Sequence, residues 1–281
     1  VIVIVRIVGV IFSSIAFFLS RSSQTLISEP AIREGEYKVI TGLIVYLIVC
    51  ITWYKDFLNW ILPEDVLSNP GSMSLIVILT KLIIFVFIPL IAYFRMYGFT
   101  LRDWGIILPF KEIINRKSIF IFLVMSIILL SFQYFFGNGA RPVREGLITT
   151  SQLLFGLPLY YLVLVISVGI VEEFFFRTFL QSRLTVLLNS RTGGIVISAL
   201  IFGLAHAPGI YLREGGALAN LGKEPSLLLA VGYSISVLSV AGFFLAIIWD
   251  KTKNFWLIVC IHAMVDLLPG LNGFLETWNI K

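Results

Sequence analysis

Long apolar stretches separated by short polar ones dominate this chain. Eight can be delimited, at about 1–20, 39–54, 74–94, 118–136, 153–180, 194–207, 226–249 and 254–269. Most are close to the roughly 20 residues that a helix needs to cross a bilayer. The pattern predicts an all-α fold, a polytopic membrane helix bundle of about eight transmembrane helices. Loops rich in Gly, Pro and small polar residues fall between the stretches: Ser68-Asn69-Pro70-Gly71-Ser72, Gly137 to Pro142, and Pro208 to Pro225. The stretch from Gly194 is short and is expected to tilt or to cross only part of the membrane.

Composition agrees with the pattern. Of 281 residues, 58% are hydrophobic and 13% charged, against roughly 25% charged in a soluble domain. A soluble globule of this size could not hide so much apolar surface. The net charge of +5 comes without a basic patch interleaved with aromatics, which argues against a nucleic-acid partner. Lys and Arg are denser in the loops after the first, third, fifth and seventh stretches (Arg95, Arg102, Lys111, Arg183, Lys251 and Lys253 among them) than on the other side, with Lys55, Arg141 and Arg144. The first set is therefore expected to face the cytoplasm, with both termini outside. Gly98 to Gly105, with Arg102 and Trp104, reads as an interfacial anchor on that side. Cys50 and Cys260 both fall in apolar stretches and read as small buried hydrophobes, not as a disulfide or metal framework. The chain begins at Val1, so some N-terminal sequence is expected to be missing. Residues 1–20 lack a basic start and a small-residue cleavage site, and read as a membrane helix rather than a signal peptide.

The informative residues are ionisable groups inside apolar stretches. A carboxylate at mid-membrane costs about 2.5–3.5 kcal/mol, and such groups usually face the bundle interior and serve function. Glu172 and Glu173 follow an unbroken apolar run from Leu159 to Ile170. Glu173 and Arg177 are four apart, so they share a helix face in the favourable ion-pair order. Glu172 lies about 140° round the helix from Arg177. Arg177 is thus expected to neutralise Glu173 and leave Glu172 pointing elsewhere, available as a general base. The plainer alternative has both acids solvated at an interface.

His206 ends a run of small residues, with Pro208 expected to stop the helix and Phe202 one turn earlier on the same face. Gly203 and Ala205 leave room for a neighbouring helix. His262 and Asp266, four apart, share one face of the last helix. Each alone has a structural alternative, an interfacial histidine or a local hydrogen bond. Together they weigh more, because both histidines of the chain lie in apolar stretches at compatible depths. Two imidazoles and a carboxylate meeting in a closed bundle would make a hydrolytic or metal site.

Glu172-Glu173-x-x-x-Arg177, Phe202-x-x-x-His206 and His262-x-x-x-Asp266, in that order, resemble the motifs of the CAAX protease and bacteriocin-processing family of glutamic-type intramembrane proteases, which includes the Ras-converting CAAX prenyl endopeptidase. Thr252-Lys253-Asn254-Phe255-Trp256 resembles the family's lead-in to its last histidine. The resemblance covers about Leu159 to Asp266. It departs from the family at Thr178, where Gly is common, and at Asp266, where the Ras-converting branch has Asn. On this resemblance the chain divides into N-terminal transmembrane helices and interfacial segments (1–150) and catalytic core helices (151–281).

The resemblance implies a multi-pass protein of the plasma membrane that hydrolyses a peptide bond in a membrane-associated or prenylated protein or peptide. Glu172, helped by His206, would activate a water, and His262 and Asp266 would position the scissile carbonyl. Glu173, Arg177 and Phe202 would support them. No cofactor is favoured. The alternative within enzymes is a zinc protease with Glu172, His206 and His262 as ligands, although no H-E-x-x-H is present. The alternatives outside enzymes are a non-catalytic immunity or scaffold protein and a proton-coupled transporter.

Overall fold

The computed structural model describes residues 2–21, 30–212, 221 and 224–280. Val1 and most of the loop between Pro208 and Pro225 lie outside the described residues. The long helices are α1 (Ile2–Ser20), α2 (Glu36–Ile61), α3 (Pro70–Tyr97), α4 (Arg116–Phe136), α5 (Thr150–Leu187), α6 (Arg191–Leu212), α7 (Leu227–Thr252), α8 (Phe255–Val265) and α9 (Leu267–Thr277). No strand occurs among the described residues. Helices α2 to α7 are each long and apolar enough to cross a membrane, and α8 and α9 are so only as a pair, bent by 71°. Each apolar stretch of the sequence is mostly helical among the described residues, and the chain is an all-α polytopic membrane protein.

Two boundaries differ from expectation. The short sixth stretch extends to Leu212, giving 22 residues. Pro208 does not end it, because the chain turns at Ala205 and His206 and becomes helical again over Ala207–Leu212. Proline is tolerated in a first turn, where its missing N–H has no partner to lose. The last stretch is not one helix: it breaks at Asp266, whose φ of −101° and ψ of 1° leave the helical region.

The helices sort into two compact units. The first comprises Val1–Ile61, Ile91–Ile107 and Phe175–Lys253. Within it α6 and α7 approach closely at Gly203, where a Cβ would lie 2.7 Å from the Ser239 amide nitrogen, the small-residue contact expected there. Arg183 does not reach a loop surface as its counting among the cytoplasmic charges assumed. It is buried, with Nε 2.6 Å from Glu36 Oε1 and Nη2 3.1 Å from Oε2. Its remaining donors reach the carbonyls of Pro30 and Ala31 at 2.9 and 3.3 Å. This forked pairing satisfies a charge that burial would otherwise penalise by several kcal/mol. Trp104 is likewise no exposed anchor. It is buried against Phe99, Tyr93 and Phe179 at centroid distances of 5.6, 5.6 and 5.7 Å.

The second unit comprises Leu62–Leu90, Leu108–Phe174 and Asn254–Lys281. Its helices begin on side-chain caps. Asn115 accepts from the amides of Lys117 and Ser118 at the start of α4, and Thr149 and Gln152 form a capping box at the start of α5. Asn254 caps α8 through Leu257, while its Nδ2 donates to Ile113 O at 2.9 Å and to Ser118 Oγ at 3.2 Å. That one side chain fixes where α8 starts relative to α4, and hence the height of His262 two turns later. Beyond the break, α9 lies on α5, with the rings of Tyr160 and Phe274 stacked at 4.7 Å.

Candidate active site

Helices α5 and α8 carry a first cluster, wholly within the second unit. They meet at Gly169, where a Cβ would stand 2.8 Å from the carbonyl oxygen of Val259. Only glycine permits that approach. One turn further along both helices, Glu173 Oε1 lies 2.5 Å from His262 Nδ1. An ionised carboxylate can only accept, so Nδ1 carries a proton and donates. The opposite nitrogen, Nε2, stands 3.8 Å from Glu172 Oε2 and 3.9 Å from Asp266 Oδ2. Those separations exceed a direct hydrogen bond and suit a bridging water or a substrate oxygen.

Exposure follows the same axis. The side chains of Glu173 and His262 are 0% and 5% exposed, that of Glu172 19% and that of Asp266 44%. The cluster is therefore closed behind the imidazole and open in front of it. Glu172, expected to face away from Arg177, faces this imidazole. Both acids address one imidazole, from its two nitrogens. The local backbone is also irregular: Val171–Glu173 is a single α-helical stretch between two π-helical segments, Val165–Ile170 and Phe174–Gln181. Such wide turns inside helices are frequent at functional sites.

A second cluster lies wholly within the first unit. Arg177 is fully buried, with its guanidinium carbon 4.6 Å from the centre of the Phe202 ring and 6.0 Å from that of Phe176. Phe202 in turn packs against the His206 ring at 4.9 Å. His206 Nδ1 is 2.8 Å from Phe202 O. A carbonyl can only accept, so Nδ1 is the protonated nitrogen and Nε2 the basic one in the neutral ring. The turn at Ala205 and His206, before the chain becomes helical again, half-exposes this imidazole. Each unit thus carries part of the motif set: Glu172, Glu173, His262 and Asp266 lie in the second, and Arg177, Phe202 and His206 in the first.

The sequence reading missed three residues around the first cluster. Gly169 sets the helix contact. Tyr161 donates to Cys260 O at 3.3 Å, two residues before His262. Gln133 on α4 donates to Met264 O at 2.7 Å and accepts from Leu268 N at 3.1 Å. Gln133 carried a readable signal, since it is a lone amide in an apolar stretch. Cys50 and Cys260 are free thiols. Among the described residues, no group of three or more His, Cys, Asp or Glu side chains is arranged to hold a metal ion.

A polytopic helical bundle that buries a paired acid against an imidazole, with a second acid on the open side, has the groups a membrane hydrolase needs. Residues 152–268 match the family described as type II CAAX prenyl endopeptidase Rce1-like, which supports membership of the CAAX protease family over this region. At family level the match supports a CAAX-type intramembrane endopeptidase, and the apolar helices support a bilayer environment. No curated protein and no solved structure matches the chain.

Proposed function

We propose that this protein hydrolyses a peptide bond near the C-terminus of a membrane-associated, prenylated substrate, using a water activated by Glu172. The observation that carries the proposal is the grip of Glu173 on His262 Nδ1, which turns Nε2 toward Glu172 and Asp266. Glu172 takes a proton from the water as its oxygen bonds to the scissile carbonyl carbon. When Nε2 also carries a proton, His262 donates to the oxyanion that forms, and Asp266 holds the carbonyl end of the substrate on the open side. The intermediate collapses by breaking the C–N bond, and the departing amine takes the proton from Glu172. His206 enters this scheme on its motif alone.

The prenyl part of the proposal draws on an apolar cavity of about 550 Å³ in the second unit, lined by Phe110, Ile119, Phe122, Tyr161, Trp256 and Cys260 among others. It shares α5 and α8 with the first cluster and has the size and polarity of a site for a long apolar group. Location in the plasma membrane belongs to the same proposal, and membrane fractionation tests it.

The test uses the purified full chain in lipid nanodiscs and a quenched peptide ending in a prenylated CAAX sequence. Cleavage of the prenylated peptide, and at least tenfold slower cleavage of its unprenylated twin, is expected. Absence of cleavage would return the scaffold and transport readings. Dialysis against a zinc chelator is expected to leave the rate unchanged, and metal analysis to find far less than one zinc per chain. Activity lost on chelation and restored by zinc alone would overturn the metal-free step in favour of Glu172, His206 and His262 as ligands.

A further inference from the structure

The break between α8 and α9 has an identifiable cause in a third helix. In an unbroken helix the amide of Leu268 would bond to the carbonyl of Met264, four residues back. Here the Gln133 amide takes both groups: its Nε2 donates to Met264 O and its Oε1 accepts from Leu268 N. The next rung is missing for a second reason, because Pro269 has no N–H to offer Val265. The ladder resumes with Gly270 N to Asp266 O at 3.2 Å. Two adjacent rungs are therefore lost around one residue, Asp266, and the helix bends there by 71°. A proline kink alone leaves the preceding rung intact; a side chain inserted into the ladder opens it.

The consequence falls on the candidate site. Asp266 is the hinge residue, 3.9 Å from His262 Nε2 and 44% exposed. Had the helix continued, its next turn would have run on beyond the His262–Asp266 face, where a substrate carbonyl has to approach. We propose that Gln133 is a positioning residue of the reaction: its buried amide opens the helix at Asp266 and sets that carboxylate on the accessible side of His262. The inference rests on the reading of Asp266 as part of the site. Gln133 itself is 7% exposed and meets the substrate nowhere in the scheme. Gln133 satisfies both backbone groups freed by the break, which would otherwise be costly in apolar surroundings.

Gln133→Met keeps the volume and removes both bonds. The two freed backbone groups then pair with each other, and the bend relaxes toward an ordinary proline kink. Spin labels at positions 256 and 276, in a chain with Cys50 and Cys260 replaced by Ser, report the change. From the helical rise, the backbone separation is about 24 Å with the observed bend and about 28 Å or more once it relaxes. The kcat for the prenylated probe is expected to fall about ten- to thirtyfold with KM within threefold, since a misplaced group outside the chemistry carries losses of that order. In the doubly substituted Q133M/D266A chain the loss should equal that of D266A alone, because Gln133 acts through Asp266.

An unchanged label distance, an unchanged kcat, or losses that multiply in the double variant would overturn the proposal. Should Q133M fail to fold, Gln133→Asn keeps an amide in the core but, one methylene shorter, cannot span both groups. It should show the same lengthening and the same kcat-only loss on a smaller scale, and wild-type values in both would overturn the proposal equally. Full activity in D266A would instead remove Asp266 from the reaction, a failure that the label distance reads separately from the role of Gln133.

Discussion

Replacing Glu172 by Gln should lower kcat about a thousandfold while leaving the protein folded and able to bind its substrate. The size follows from the role, since a positioned general base contributes typically 10²–10⁴-fold. Gln is nearly isosteric with Glu and keeps an oxygen toward His262, so packing and polar contacts are conserved while the proton acceptor is lost. The grip of Glu173 on Nδ1 does not involve Glu172, and His262 should keep its orientation. The measurement is single-turnover cleavage of the prenylated probe, with binding followed separately by fluorescence of the uncleaved peptide. Binding within threefold of wild type together with cleavage reduced by three orders of magnitude is the expected pair. Cleavage within tenfold of wild type would remove Glu172 from the mechanism. Lost binding with lost cleavage would instead make it a structural or substrate-holding acid. The same variant, inactive but competent to bind, can capture substrates from its own membrane by cross-linking.

How far the sequence foretold this arrangement depended on the kind of signal each residue carried. Apolar stretches of bilayer length located the long helices except α9, most of which lies beyond the last stretch, because lipid imposes length and composition on a span. The acids and histidines stood out for the same reason, being expensive where they lie. Glu173 and His262 are 89 positions apart, and no local periodicity can report such a contact. Helix spacing offers Arg177 as a neighbour of Glu173 and says nothing of His262. The π-helical turns on either side of Glu172 and Glu173 were invisible too. In a helix apolar on most faces, the hydrophobic pattern cannot distinguish 3.6 residues per turn from a wider one. Arg183 was read as a loop charge because its partner Glu36 sits 147 positions away, and Trp104 as an anchor because its aromatic neighbours are distant in sequence. Gln133 was legible in principle. A search for every polar group in an apolar stretch, rather than for ionisable ones alone, would have raised it.

Gly169→Ala should cost about a hundredfold in kcat/KM, although it adds a single methyl group. The new Cβ would lie 2.8 Å from the Val259 carbonyl oxygen, where ordinary contact begins near 3.4 Å. The obstructing atom is backbone, so no side chain can rotate away, and α5 and α8 have to part. One turn on, the same two helices hold Glu173 and His262 at 2.5 Å. A parting of about half an ångström is enough to lengthen that bond and to shift Nε2 relative to Glu172, and displacements on the order of 1 Å in a catalytic array can cost 10²-fold. Helix propensity predicts the opposite outcome, because Ala is the better helix former by about 1 kcal/mol. A loss would therefore have to come from packing. Gly273 on α9 supplies the control: a Cβ there meets nothing within 4 Å, so Gly273→Ala should keep full activity and unfold at the same or a higher temperature. Activity of Gly169→Ala within twofold of wild type would mean that the approach of α5 to α8 does not set the geometry of the His262 cluster. A loss shared equally by Gly273→Ala would point to a general intolerance of substitution. If the contact governs the cluster, only the Gly169 variant loses activity, and enlarging Gly169 further to Val should deepen the loss, since a branched side chain forces the helices wider apart.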